Sequence, residues 1–261
     1  MGAADLEKSF DRVADLYEWV RPGYPESVFE RILAFSGVGS SARLLEVGTG
    51  TGKATLPLAQ RGFDILGLEP GGRLAEIARA RLAQFPTVEI RTVSFEEWDE
   101  PIGAFDLVFI AQAFHWLAPD QRLSKLARTL RRPGVLAVFG NCAALAPGPL
   151  SDSVQVAYRQ HAEVLCDRDH THSWYASPES PILRELRASP VFTDPHGEVT
   201  TWERTLSSSD YCDLLATHSD HSTLPGDQLR ELLTAVRTAI DRHGGVTRVV
   251  YKTGLFLARA V

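Results

Sequence analysis

Leu44-Leu45-Glu46-Val47-Gly48-Thr49-Gly50-Thr51-Gly52 decides how this chain is read. An apolar run ends in an acidic residue and then breaks into alternating glycines. Lys53-Ala54-Thr55-Leu56-Pro57-Leu58-Ala59-Gln60-Arg61-Gly62 follows and reads as a short helix stopped by glycine. The pattern is strand, tight turn, helix start. Glycines suit such a turn because the backbone takes positive φ and a ligand can approach where no Cβ stands. The helix start adds unpaired N–H groups and a positive dipole end. Spacing separates the ligand classes that use such a turn. A phosphate-binding loop needs glycine at Val47 and Ser or Thr at Ala54, so it fails twice. The dinucleotide fingerprint needs Gly or Ala at Lys53, where helix and strand should pack closely. An NAD-dependent oxidoreductase is therefore the weaker alternative.

What remains is acidic-x-Gly-x-Gly-x-Gly, with the Glu46 carboxylate beneath the turn. It resembles motif I of the class I S-adenosylmethionine (SAM) methyltransferases. SAM brings a methionyl ammonium and carboxylate to the turn formed by Gly48, Thr49 and Gly50, and an acidic residue suits the cation.

Alternation of strand and helix surrounds this stretch. Strands are expected at 43–47, 65–69, 88–92, 105–110 and 135–139, and helices at 53–60, 73–83 and 119–131. The runs Leu107-Val108-Phe109-Ile110 and Val135-Leu136-Ala137-Val138-Phe139 suit strands buried on both faces. The implied fold is α/β, a Rossmann-like doubly wound sheet, in which ligands sit outside the carboxyl ends of the strands. Before it, Phe10, Val13, Leu16 and Tyr17 fall at helical spacing, and Pro25 opens a helix to about residue 35. Tyr17, Arg21 and Tyr24 are candidate contacts of an N-terminal cover, since arginine pairs bidentately with a carboxylate. After Phe139 the pattern changes. Residues 141–149 read as a linker, 151–165, 181–188, 210–217 and 227–243 as helices, and 199–206 and 249–260 as strands. A single domain over 1–261 is expected: lid and helix at 1–39, SAM-binding core at 40–140, substrate-covering helices at 141–245 and a final strand at 246–261.

Glu69, about 20 residues after the glycine turn, suits both ribose hydroxyls, with Pro70 beside it. Val93-Ser94-Phe95-Glu96-Glu97-Trp98 corresponds to the turn that cups adenine in the family. There Ser94 stands where Asp is common, and the Phe95 backbone N–H supplies a ring contact. In Phe105-Asp106-Leu107-Val108-Phe109-Ile110-Ala111-Gln112-Ala113-Phe114-His115-Trp116-Leu117, Ala111 can offer its carbonyl to the ammonium and Gln112 can line the sulfonium end. This run, Gly67-Leu68-Glu69-Pro70, Leu130-Arg131-Arg132-Pro133-Gly134-Val135-Leu136 and Tyr251-Lys252-Thr253-Gly254-Leu255-Phe256-Leu257-Ala258-Arg259 resemble the trans-aconitate-methyltransferase-like branch. The resemblance implies a seven-stranded, mostly parallel sheet with an antiparallel last strand. It also implies methyl transfer to a small molecule, most simply at a carboxylate or hydroxyl oxygen. His115 is the acid/base candidate, because its ordinary pKa near 6.5 suits proton removal. A carboxylate acceptor needs no base.

Composition bounds the rest. The chain has 261 residues, 44% hydrophobic and 23% charged, values ordinary for a globular protein. A net charge of -6 argues against nucleic acid. Cys142, Cys166 and Cys212 are scattered and odd in number, so no disulfide framework or metal site is expected. Asp167-Arg168-Asp169-His170-Thr171-His172 has ligand types but reads as a polar loop. No signal core and no membrane-length apolar run stand out, which leads us to expect a cytoplasmic monomer or homodimer. A non-catalytic protein binding SAM or S-adenosylhomocysteine is the alternative from another class.

Overall fold

The computed structural model describes residues 14–99, 101–166 and 171–261. Phe10, Val13, Asp167, Arg168, Asp169 and His170 lie outside them. The described strands form a seven-stranded sheet in the order β3-β2-β1-β4-β5-β7-β6, mostly parallel with the last strand entering antiparallel. They are β1 Arg43–Val47, β2 Asp64–Leu68, β3 Val88–Arg91, β4 Phe105–Ala111, β5 Leu130–Leu145, β6 Phe192–Ser207 and β7 Val246–Ala260. Leu45 stands opposite Leu66 on one side and Val108 on the other, both in parallel register. The chain winds outward from β1 to β3, returns to β4, and then winds the other way. The strand order therefore reverses between β1 and β4, the place where open α/β sheets bind ligands.

Alternate residues of the central strands feed two cores. Leu45, Val47, Val108 and Ile110 enter one. Leu44, Ile65, Leu107 and Phe109 enter the other. This is why those runs are apolar without alternation. The helices of this part are α2 Glu26–Ser36, α3 Thr55–Ala59, α4 Gly72–Leu82, α5 Arg122–Thr129 and α7 Pro181–Ala188. The chain divides into two compact units, and this one comprises Gly23–Cys142, Thr171–Thr200 and Thr253–Val261. The other draws on Met1–Pro22, Ala143–His170 and Thr201–Lys252. It holds α1 Ala14–Val20, α6 Pro149–His161, α8 Ser208–Ala216 and α9 Gly226–Arg242. Its own core joins Val154 and Ala157 to Leu214, Leu232, Val236 and Ile240. Among the described residues no helix is long and apolar enough to cross a membrane.

Several boundaries differ from the sequence expectation. β5 starts at Leu130 rather than 135 and runs to Leu145, through most of the expected linker. Leu130 pairs with Phe105, and regular pairing resumes at Leu107 with Val135, so Arg131–Gly134 is absorbed as a bulge. Pro133-Gly134 had the composition of a turn, and a bulge uses the same residue types. Helix 119–131 shrinks to Arg122–Thr129, because Leu130 is taken by the sheet. Helix 53–60 shrinks to Thr55–Ala59, because the glycine turn extends to Gly52.

Candidate functional site

The carboxyl ends of β1 and β4 meet directly. Gly48 has φ 75°, and a Cβ there would lie 2.4 Å from the Ala113 Cβ. Its N–H and that of Thr49 both donate to the Leu68 carbonyl, at 2.9 and 3.0 Å. The turn is thereby tied to the end of β2. Gly50, at φ 57°, has nothing within 4 Å of the position a Cβ would take. One face of the turn is closed by protein and the other is open.

Glu46 lies beneath this turn, fully buried. The Thr55 hydroxyl donates to its Oε2. Its Oε1 is buried and has no hydrogen-bond partner among the described residues. Burial raises the Glu46 pKa well above the usual carboxylate value, against the lowering by Thr55, and Glu69 raises it further. A carboxyl group held in this way favours a cation, which would restore its charge and satisfy the orphan oxygen.

Glu69 has a role that spacing did not suggest. Its Oε2 accepts from Gly50 N–H at 2.7 Å and its Oε1 from Gly71 N–H at 2.8 Å. One carboxylate thus clamps the glycine turn to the turn after β2, with Pro70 between its anchors. A carboxylate oxygen has two lone pairs and can accept more than one hydrogen bond. In the turn after β3, the Ser94 hydroxyl donates to Glu97 Oε2 at 2.9 Å and accepts from Glu97 N–H at 3.2 Å, closing its own turn. Phe95 is buried, with Trp98 at 6.3 Å between ring centroids and the Lys125 ammonium 5.1 Å from its own.

β4 ends at Ala111, paired with Phe139. Gln112 then turns the chain with φ 64°, a conformation uncommon for a residue with a side chain. Its N–H donates to the Phe139 carbonyl at 2.8 Å. Its side-chain amide donates to the Asn141 carbonyl at 2.9 Å and accepts from the Asn141 N–H at 2.7 Å. The side chain continues the ladder that the backbone has left. Asn141 in turn donates to the Gly23 carbonyl at 3.1 Å and accepts from the Thr253 hydroxyl at 2.6 Å. Beside Gly23, Tyr24 sets its ring edge-on to Phe139 at 4.8 Å. Asn141 and Thr55 are the polar residues that sequence reasoning passed over. The only signal for Asn141 is a polar residue placed directly after a buried strand segment.

His115 sits in a 3₁₀ turn, Phe114–Trp116, between Trp116 at 4.8 Å and Trp174 at 6.4 Å. Burial, and then the nearby Arg122 charge, lower its pKa to about 4. It is neutral at physiological pH and a much weaker base than its ordinary value implies. Two results should follow. An NMR titration should place its midpoint at about 4, and methyl-transfer rates should show no histidine inflection near pH ~6.5. The same shift makes stability pH-dependent. The unfolded chain binds this proton more readily, so the contribution is present above the unfolded pKa and is lost as pH falls towards the folded one.

Tyr17 and Arg21 lie in the other unit. Arg21 donates to the Thr217 hydroxyl at 2.9 Å and to its carbonyl at 3.0 Å, with its guanidinium 5.3 Å from the Tyr17 ring centroid. That unit also gathers His218, Asp220 and His221. His221 is buried, with Nδ1 2.7 Å from Asp220 Oδ1 and Nε2 2.7 Å from the Tyr158 hydroxyl. Both ring nitrogens of His221 are engaged within the protein.

Residues 45–138 match the family model described as a methyltransferase domain. An uncharacterized methyltransferase of Mycobacterium tuberculosis is 28% identical over 239 residues, 92% of this chain and 88% of that protein. A structure titled as a putative type II methyltransferase from Anaeromyxobacter dehalogenans has a TM-score of 0.59 at 21% identity, over 92% of this chain and 97% of that one. A Haemonchus contortus phosphoethanolamine N-methyltransferase, solved with S-adenosylhomocysteine, has a TM-score of 0.57 at 15% identity, covering 98% and 60%. At these identities the two structures show the fold. Domain match and relative together support a SAM-dependent methyltransferase activity.

Proposed function

We propose that the chain transfers the methyl group of SAM to an oxygen of a small-molecule acceptor, a carboxylate in preference to a hydroxyl, as in the trans-aconitate-methyltransferase-like branch. The carrying observation is the buried, unpartnered Oε1 of Glu46 beneath a glycine turn whose Gly50 face is open. This donor set fits SAM. A buried acid suits the methionyl ammonium, and an acidic residue at the end of the next strand suits the ribose hydroxyls. The turn, without a phosphate-binding spacing, leaves no cradle for a pyrophosphate.

When bound, SAM supplies an electrophilic methyl on a positively charged sulfonium. The chain's own residues bind and orient. Glu46 holds the ammonium, and Glu69 the ribose while clamping the Gly50 backbone. Ala111 offers its carbonyl, Gln112 fixes the backbone at the end of β4, and the Phe95 N–H serves the adenine. His115, neutral and weakly basic, supports an acceptor that arrives already ionised. A carboxylate loses no proton on methylation, so orientation of the nucleophile supplies most of the rate.

Calorimetric titration with SAM and, separately, NADH tests this. Binding of SAM and not NADH is expected. Glu69→Ala should weaken SAM binding by ~10–100-fold, the loss of one or two hydrogen bonds to a charged group. NADH binding, or unchanged SAM affinity in a folded Glu69→Ala protein, would refute the assignment. SAM binding with no labelled methyl transferred to any carboxylic acid in a screen would leave the non-catalytic reading.

A further inference from the structure

We propose that Arg122, paired with Glu185, is a positioning residue for the methyl transfer: it holds the Phe114–Trp116 turn that carries His115. The inference rests on the reading above, in which that turn borders the reacting groups.

Arg122 opens α5, whose polar residues at 122, 125 and 128 would ordinarily face water. Its side chain is only 7% exposed. Its Nε donates to Glu185 Oε1 at 2.7 Å, and its Nη2 to Glu185 Oε2. Its Nη1 reaches back to the carbonyls of Phe114 and Leu117 at 3.2 and 3.4 Å. The guanidinium lies 4.2 Å from the Phe114 ring centroid. One planar group thus holds both ends of the turn, anchors it to α7, and stacks on the residue preceding His115.

Stability alone explains this poorly. A buried ion pair is weak evidence for stability, because apolar residues of like volume often do as well. What an apolar pair cannot do is fix two carbonyls in space. Lysine would not substitute fully, since a single ammonium lacks the rigid fork. The turn is also joined to the glycine turn, because Ala113 abuts Gly48. A shift of the Arg122 guanidinium is therefore transmitted to His115. The Arg122 charge acts on the His115 imidazole, which also packs against Trp116 and Trp174.

The test uses the full chain with nitrogen-15-labelled histidine, the His115 signal being assigned by His115→Asn. Arg122→Met should displace the His115 resonances and raise their titration midpoint by at least about half a pH unit. The SAM-induced shift of those resonances should shrink, while SAM affinity changes by less than about threefold. Arg122→Lys should restore the charge effect on the midpoint and not the resonance positions. Should Arg122→Met fail to fold, Glu185→Gln and Arg122→Lys carry the same readout, with displaced His115 resonances expected in each. Unchanged His115 resonances and midpoint in the folded variants would overturn the proposal. So would a loss of SAM affinity as large as that of Glu69→Ala. Failure of the parent reading looks different: the wild type would not bind SAM, although Arg122→Met still moved His115.

Discussion

Glu46→Gln should make the free protein more stable and the SAM complex much weaker. Glu46 is fully buried, one oxygen is held by Thr55, and the other has no partner among the described residues. Keeping a charge there is unfavourable, and the raised pKa expresses that. Since the folded pKa lies above the unfolded one, the wild type binds this proton more readily when folded. Its stability should therefore fall as pH rises from the unfolded value through the folded one. Glutamine removes that dependence, and the thermal midpoint near neutral pH should rise by about 2–4 °C, the shift that about 1 kcal/mol brings in a chain of this size. Against SAM the sign reverses. The amide cannot neutralise an ammonium, and the loss of a charged hydrogen bond of about 1.5–3 kcal/mol weakens binding by roughly 10–100-fold. Thermal scans across pH with calorimetry on the same samples give both numbers. A variant that is less stable and binds SAM normally would remove Glu46 from the cofactor site. The opposition is what a binding group kept in an unfavourable state predicts, whereas a purely structural carboxyl would lose stability on substitution.

Local signals made the centre of the fold legible. Leu44-Leu45 with Val47, and Leu107-Val108-Phe109-Ile110, are apolar because both faces of each strand are covered, and the covering helices announce themselves between them. The glycine turn was legible for the same reason: its conformation is a property of a few adjacent residues. What escaped depends on partners distant in sequence. Nothing near Gln112 says that its amide will replace a strand rung opposite Asn141, 29 positions later. Nothing near Arg122 says that Glu185, 63 positions later, will let a helix-surface arginine be buried. His115 shows the same limit in electrostatic form. Its residue type suggested a base, but burial and Arg122 set the proton affinity, and neither is written beside it. The start of β5 was hidden by Pro133-Gly134, whose composition is shared by turns and bulges.

Gly48→Ala and Gly50→Ala should separate fold from binding within a single turn. Both glycines have positive φ, 75° and 57°, so either substitution carries a backbone strain of about 1–2 kcal/mol. Beyond that they differ. A methyl at 48 would stand 2.4 Å from the Ala113 Cβ, and this neighbour is no flexible side-chain tip. β1 and β4 must part, or the turn must leave the Leu68 carbonyl that holds it. Gly48→Ala should therefore cost about 3 kcal/mol or more, combining strain with overpacking, and lower the thermal midpoint by roughly 6–12 °C. A methyl at 50 meets nothing within 4 Å and leaves the Gly50 N–H bond to Glu69 in place. The free protein should lose only the strain, a midpoint shift of about 2–8 °C. Yet that methyl projects over the open face of the turn, where a bound nucleoside would lie, so SAM affinity should fall by ~100-fold or more, as a steric conflict of about 3 kcal/mol requires. Calorimetry and thermal scans on both variants decide it. If Gly50→Ala binds SAM as the wild type does, the open face is not where the cofactor sits, and the reading of the glycine turn must be abandoned even though the fold stands.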